Sequence, residues 1–256
     1  MTLEPRIRTA LCALAMTATA LAGAGCGPMH GERSPAVKRP SQVLDFATLY
    51  KQNCAGCHGE NGRNGAAIDL SNPVYIALAG EARIRNTIAN GVSGKLMPAF
   101  ARSAGGMLTD QQVDALAHGI ATEWGRPQQF ADVQLPPYQA ASPGNAANGL
   151  KAYGVFCARC HGATGEGGPA NGEPLKPGAP QPASGWLGSI VNPTYLALIS
   201  DQNLRSILIA GRPDEDMPDW RGDAPQPMTE QQITDIVAWL ASQRVANPGQ
   251  PYPEHP

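Results

Sequence analysis

Aromatic side chains are scarce in this sequence, only 5% of 256 residues, so an ordinary core of this size would lack bulk. Something other than side chains is expected to fill that space. Charge is also thin. Charged residues make up 16%, the net charge is −2 and no basic run occurs, which excludes an electrostatic footprint for nucleic acid. Long apolar runs are missing. The longest, Thr9 to Ala24, is at most 16 residues and falls short of the roughly 20 that span a bilayer. No segment alternates with the two-residue period of a strand, so the fold is expected to be all-α. Spare cysteine is absent as well. Of the six, Cys12 and Cys26 lie in or beside the N-terminal segment, and the other four form two identical spacings, leaving none for a disulfide framework.

Those two spacings organise the chain. Cys54-Ala55-Gly56-Cys57-His58 and Cys157-Ala158-Arg159-Cys160-His161 are both C-x-x-C-H, the attachment motif for c-type haem. Two thiols about one helical turn apart can each add to a vinyl group on a porphyrin edge, and the next residue, His, stands under the iron as proximal ligand. A bare C-x-x-C also suits a redox dithiol or half a zinc site. A zinc site would merge both pairs into one centre, whereas here each pair has its own adjoining His and its own downstream pattern. Two covalently bound haem c groups are therefore expected, with Cys54, Cys57, Cys157 and Cys160 as attachment points and His58 and His161 as iron ligands.

The downstream pattern is a repeat. From Asn72-Pro73 onward the first copy maps onto the second by adding 120: Tyr75 meets Tyr195, Arg85 meets Arg205, Gly91 meets Gly211, and Met97-Pro98 meets Met217-Pro218. The Cys motifs differ by 103, so the second copy carries 17 extra residues, placed within Glu166 to Ser189, a Gly- and Pro-rich surface loop. Helices are expected over Val43 to Asn53 and Ala147 to Phe156, ahead of each motif. Asn72 and Asn192 read as N-caps followed by Pro at the first helical position. The closing helices start at Thr109 and Thr229 with Gln three residues on, a capping box. Val113, Leu116, Ala117 and Ile120, and in the second copy Ile233, Ile236, Val237 and Leu240, share one helical face that should press on the N-terminal helix or the haem.

Met97 and Met217 are the candidate second iron ligands. They occupy one repeat position, each is followed by Pro, which biases it to an extended loop, and a thioether raises the potential of the iron. Arg85 and Arg205 are matched cations in apolar helices. Their forked guanidiniums suit haem propionates, and a solvated face is the alternative. Near the second methionine lie Asp214, Glu215, Asp216, Asp219 and Asp223, with Arg212 and Arg221 among them. Negative charge favours oxidised iron, so the second haem is expected to have the lower potential.

Residues 1–25 read as an export signal, with Arg6 and Arg8 before the apolar run. The end, Leu21-Ala22-Gly23-Ala24-Gly25-Cys26, resembles a bacterial lipoprotein signal in which the Cys after the cut is lipidated. Gly23 stands where that family carries an aliphatic residue, and plain secretion or an uncleaved anchor stays open. Residues 26–42 read as a flexible tether, 43–125 as a first domain, 126–145 as a Pro-rich linker, 146–245 as a second domain and 246–256 as a disordered tail.

Over 43–125 and 146–245 the chain resembles a tandem two-haem class I cytochrome c, with C-x-x-C-H early and Met-Pro late in each domain. The resemblance implies a small helical fold wrapped around each haem, and His/Met ligation by His58 with Met97 and His161 with Met217. It also implies a Pro-marked loop whose carbonyl accepts the proximal His ring N–H. Pro169 fits that loop in the second unit, while the first has Ala66-Ala67-Ile68 and no Pro. The function implied is a carrier of single electrons rather than an enzyme. It would serve redox protein partners, such as a respiratory complex, oxidase or dehydrogenase, on the periplasmic side of a bacterial inner membrane. Attachment there would come through an N-terminal lipid on Cys26. The rival is a dihaem enzyme, such as a cytochrome c peroxidase or thiosulfate dehydrogenase, or a cytochrome subunit of a larger oxidoreductase complex.

Overall fold

Two apolar helix stripes of the same design generate two similar helical units. In the computed structural model the described residues are 38–169, 186–222 and 224–246. The export signal, Cys26, most of the tether and nearly all of the C-terminal tail lie outside them. Contacts divide the chain into residues 1–40 and 41–256. Ten α-helices are found among the described residues, all in 41–256.

The first unit holds α1 (Phe46–Asn53), α2 (Ala55–His58), α3 (Pro73–Ala79), α4 (Glu81–Asn90) and α5 (Asp110–Gly119). The second holds α6 (Ala146–Phe156), α7 (Ala158–His161), α8 (Pro193–Leu198), α9 (Asp201–Ala210) and α10 (Glu230–Ser242). Each start has a local cause. Asp45 caps α1 by accepting the Thr48 N–H at 2.9 Å. Asn72 and Asn192 cap α3 and α8, each with Pro in the first turn. Thr109 and Thr229 each form a complete capping box with Gln112 and Gln232.

The periodic faces of α5 and α10 are buried. Val113, Leu116, Ile233 and Ile236 are each 0% exposed, and burial of each such side chain stabilises by roughly 1.5–3 kcal/mol relative to leaving it in water. The closing helix of each unit packs on the N-terminal helix, α1 on α5 and α6 on α10. Small residues allow the approach. A Cβ on Gly119 would meet the Phe46 ring at 2.2 Å, and one on Gly149 would meet the Asp235 carbonyl at 2.0 Å.

Two features add to the expected plan. The all-α fold carries one short antiparallel ladder, Gly168–Pro169 with Trp186–Leu187, at the two ends of the long loop of the second unit. The Pro-rich segment 126–145 is pinned down. Phe130, Val133, Leu135 and Tyr138 pack against the core. The Tyr138 carbonyl accepts from Gln202 at 2.8 Å, and its ring lies under the Arg83 guanidinium, 4.3 Å from the centroid. Ser142 and the Asn145 N–H bond to Gln231 and Asp235 on α10. The segment is a strap: its backbone groups find partners on the helices of the second unit, and the Tyr138 ring meets Arg83 of the first.

The units also touch directly. Asn72 is buried, and its amide donates to the Ala210 carbonyl at 2.8 Å while its oxygen caps α3. One side chain thus serves the free N–H groups of α3 and a free carbonyl at the end of α9. Lys95 Nζ donates to the Ala197 carbonyl on α8 at 2.8 Å.

Candidate haem sites

Each site is built on a sharp break between two helices. In the first unit, α1 ends at Asn53, Cys54 turns the chain, and α2 carries Ala55 to His58 before Gly59 ends it at φ +80°. Both thiols are free; Cys54 is half-buried and Cys57 exposed. Burial, with Cys57 adding a smaller contribution, pushes the Cys54 thiol up to about 12. Burial likewise pushes Cys157 up to about 12, with Cys160 contributing less. A reactive redox dithiol has a lowered thiol pKa, the opposite direction to that of Cys54 and Cys157. Among the described residues no three His, Cys, Asp or Glu side chains cluster as a metal-binding group, so the pairs do not merge into a zinc centre.

His58 is buried, and its Nδ1 lies 2.8 Å from the Ile68 carbonyl. That bond orients the ring and leaves Nε2 for iron. Burial lowers the basicity of His58, opposed by the Ile68 bond. A loop without proline therefore supplies the acceptor in the first unit. In the second, His161 Nδ1 is buried without a partner among the described residues. Gly188, which the offset of 120 matches to Ile68 just as it matches Leu70 to Ile190, is not seen serving it. Pro169 pairs in the short ladder with Trp186 and is not seen serving His161.

Two residues that sequence reasoning passed over hold these turns. The hydroxyl of Tyr50 donates to the Gly59 carbonyl at 2.9 Å, and that of Tyr153 donates to the Gly162 carbonyl. Each tyrosine stands four residues before the first Cys of its motif. The signal was present: they share the offset of 103 that relates the two motifs.

The methionines close equivalent loops. The Met97 carbonyl accepts the Val92 N–H at 3.0 Å, just beyond the end of α4. Met217 exchanges two backbone bonds with Arg212, at 2.9 and 3.0 Å, just beyond α9. Gly91 and Gly211 make both closures feasible, since a Cβ there would meet the methionine carbonyl at 2.7 and 2.6 Å, and both have positive φ. The loops are anchored on the far side too. Phe100 N–H donates to Ile88 and Trp220 N–H to Ile209, each at 3.1 Å. Met97 and Met217 are both half-buried against the core. Met217 lines a cleft of about 680 Å³ with Asn72, Pro73, Ala210, Pro218 and Arg221.

Both arginines bond protein groups. Arg85 Nε bonds Asp114 on the exposed side of α4 and α5. Arg205 is 3% exposed and bonds protein groups on every side: the Pro137 and Tyr138 carbonyls, Thr234 Oγ1 and the Glu230 carboxylate. Four of its five N–H donors are taken by the strap and α10. The acidic cluster is also divided. Glu215 and Asp214 pair with Arg212, and Asp219 with Arg221.

The donor set fits covalent haem in both units: two unpaired thiols one turn apart, a His directed by its second nitrogen in the first unit, and a Met on a clamped loop. The family model described as "Cytochrome C oxidase, cbb3-type, subunit III" matches residues 41–118, and the model described as "Cytochrome c" matches 146–244. No curated protein matches the chain. Among solved structures, a chain of the Kuenenia stuttgartiensis reducing HAO-like protein complex is 16% identical with a TM-score of 0.42, covering 82% of this chain and 100% of that one. The thiosulfate dehydrogenase TsdBA from Marichromatium purpuratum, in its as-isolated form, is 19% identical with a TM-score of 0.29, covering 88% of this chain and 50% of that one. At those values neither bears on the reaction.

Proposed function

Because the chain is a cytochrome c with two haem c domains in tandem, we propose that it carries single electrons between periplasmic or membrane-bound respiratory partners by outer-sphere transfer. The observation that carries this reading is the matched pair of methionine loops, each closed beyond its helix and anchored again three residues after the methionine. An iron held by His58 and Met97, or by His161 and Met217, has no position left for a substrate.

Each bound haem supplies a one-electron iron couple. The chain supplies the rest. The Ile68 carbonyl holds the His58 ring by Nδ1, so that Nε2 would be the nitrogen to hold iron. The tyrosine hydroxyls brace the turns after each attachment motif. The pinned methionine loops keep ligation the same in both oxidation states, which keeps reorganisation small. The export signal and Cys26 support a location outside the cytoplasmic membrane, with a lipid on Cys26 as anchor. Among the described residues no helix is long and apolar enough to cross a membrane.

The test is an optical and EPR study of the purified dihaem protein. Two low-spin haems that ignore carbon monoxide when reduced, and that show the near-infrared band of sulfur-to-iron ligation, are expected. A high-spin or carbon monoxide-binding haem would mean a labile methionine, and turnover of peroxide or thiosulfate would then make the protein an enzyme.

A further inference from the structure

The loop that carries Met217 makes an acidic contact with the other unit. Between Gly211 and Met217 the chain folds into a short 3-10 turn, Pro213–Glu215. From it Asp214 reaches the first unit, where its Oδ2 accepts the Asn64 N–H at 2.9 Å. Beside it Arg212 Nη2 donates to the Gly65 carbonyl at 3.2 Å. Gly65 rests on the attachment motif itself: a Cβ there would lie 2.4 Å from the Cys57 carbonyl oxygen and 2.5 Å from the His58 carbonyl carbon. Two charges from the second unit therefore sit against the backbone that presents the first haem ligand.

Their balance is uneven. The Asp214 side chain is 2% exposed, and its Oδ1 has no partner among the described residues. Its cation, Arg212, stands 3.4 Å away and is shared with Glu215 at 2.8 Å. One positive and two negative charges leave a surplus of negative charge, and the buried part of it faces the first unit. A carboxylate so placed acts through low dielectric and is poorly screened by salt. The repeat positions in the first unit are Val92 and Gly94, which carry no charge, and the charge that the first methionine loop sends across is a cation, Lys95.

We propose that Asp214, although it belongs to the second unit, is a positioning and tuning residue for the first haem: its buried carboxylate stabilises the ferric state of the haem attached at Cys54 and Cys57. The one-electron reduction of that haem removes a positive charge from beside the carboxylate, so the carboxylate opposes it. The acidic residue that looks in sequence like part of a field over the second haem acts instead across the junction. This inference rests on the reading of Cys54, Cys57 and His58 as a haem site.

The test uses the full dihaem protein, with haem content measured first by the pyridine haemochrome assay. Two haems per chain uphold the site reading independently, and one haem with Cys54 and Cys57 unreacted would overturn that reading. Redox titration is then followed by paramagnetic NMR, in which the two axial methionine methyl groups report each haem separately. Asp214→Asn keeps an acceptor for the Asn64 N–H but removes the charge. It should raise the reduced-to-oxidised ratio of the first haem at fixed ambient potential roughly threefold, about 28 mV upward at 59 mV per tenfold for a one-electron couple. The shift should persist in about 1 M salt, where exposed charges are screened within about 3 Å. Arg212→Gln removes the compensating cation and should move the first haem the opposite way, a reversal that loosened packing would not produce. Glu215→Gln, at an exposed position, should change little. If only the second haem moves, or neither moves, or both variants shift the first haem in the same direction, the proposal fails.

Discussion

Replacing Arg205 removes a side chain that joins three elements. Its guanidinium bonds the Pro137 and Tyr138 carbonyls of the strap, Thr234 Oγ1 at 3.0 Å and the Glu230 carboxylate on α10, and it is itself carried by α9. In Arg205→Ala the Tyr138 carbonyl keeps its bond from Gln202, whereas the Pro137 carbonyl, Thr234 and Glu230 lose theirs. Breaking a buried ion pair by deleting one member costs about 3–5 kcal/mol. Glu230 is 31% exposed, so water can take up part of its charge, and the lower end, about 3 kcal/mol, is expected. For a body of this size 1 kcal/mol moves Tm by about 2–4 °C, so Tm should fall by about 6–12 °C. Arg205→Met keeps the apolar stem in place and should recover part of that loss. The assay is thermal unfolding of the dihaem protein by far-UV circular dichroism, paired with the two haem potentials. A loss below about 1 kcal/mol in Arg205→Ala would refute the structural role argued here. So would an unchanged Tm with a shifted potential of the second haem, which would return Arg205 to the propionates.

Gly149→Ala should wedge α6 from α10, since its Cβ would lie 2.0 Å from the Asp235 carbonyl oxygen, a backbone atom that cannot swing aside. A loss of about 1–3 kcal/mol is expected in denaturant unfolding, and unchanged stability would mean the helices sit further apart than described. Burial holds the phenols of Tyr50, Tyr75 and Tyr153 above the usual tyrosine range. In the unfolded chain each loses its proton near pH 10, so from there upward the unfolded state binds fewer protons and stability falls with pH. Below that pH their contribution is fully present. Tyr75→Phe should flatten the alkaline slope by up to about 1.4 kcal/mol per pH unit, read from unfolding series on either side of pH 10. A slope unchanged by the substitution would show that the Tyr75 phenol is not held protonated.

The local chemistry of the sites could be read from the sequence because it depends on short spacings. C-x-x-C-H, Asn-Pro, the Thr-to-Gln capping boxes and Met-Pro each act within one or two turns of chain, and the repeat presented each of them twice. The faces of α5 and α10 were equally legible, since helical periodicity decides which side chains meet a core before any partner is known. Tyr50 and Tyr153 could have been found by the same offset, but a lone tyrosine in an apolar helix carries no visible hydrogen-bond partner until the Gly59 and Gly162 carbonyls come round to it.

Charged side chains were the least legible, and for one physical reason. A charge is located by whatever it approaches in space, and its reach is long compared with sequence spacing. Arg85 and Arg205 hold matched repeat positions, yet one lies on an exposed helix face and the other in a buried knot, because the segment 126–145 crosses only the second of them. Asp214 and Glu215 share Arg212 and Asp219 pairs with Arg221, all within three positions of chain, yet tertiary packing turns Asp214 toward the other unit. The sequence by itself determined two haem c sites, the helices that carry them and the loops that close them. Only the tertiary structure decided how the two sites face each other's loops and which charges each one feels, because those depend on contacts between residues more than a hundred positions apart.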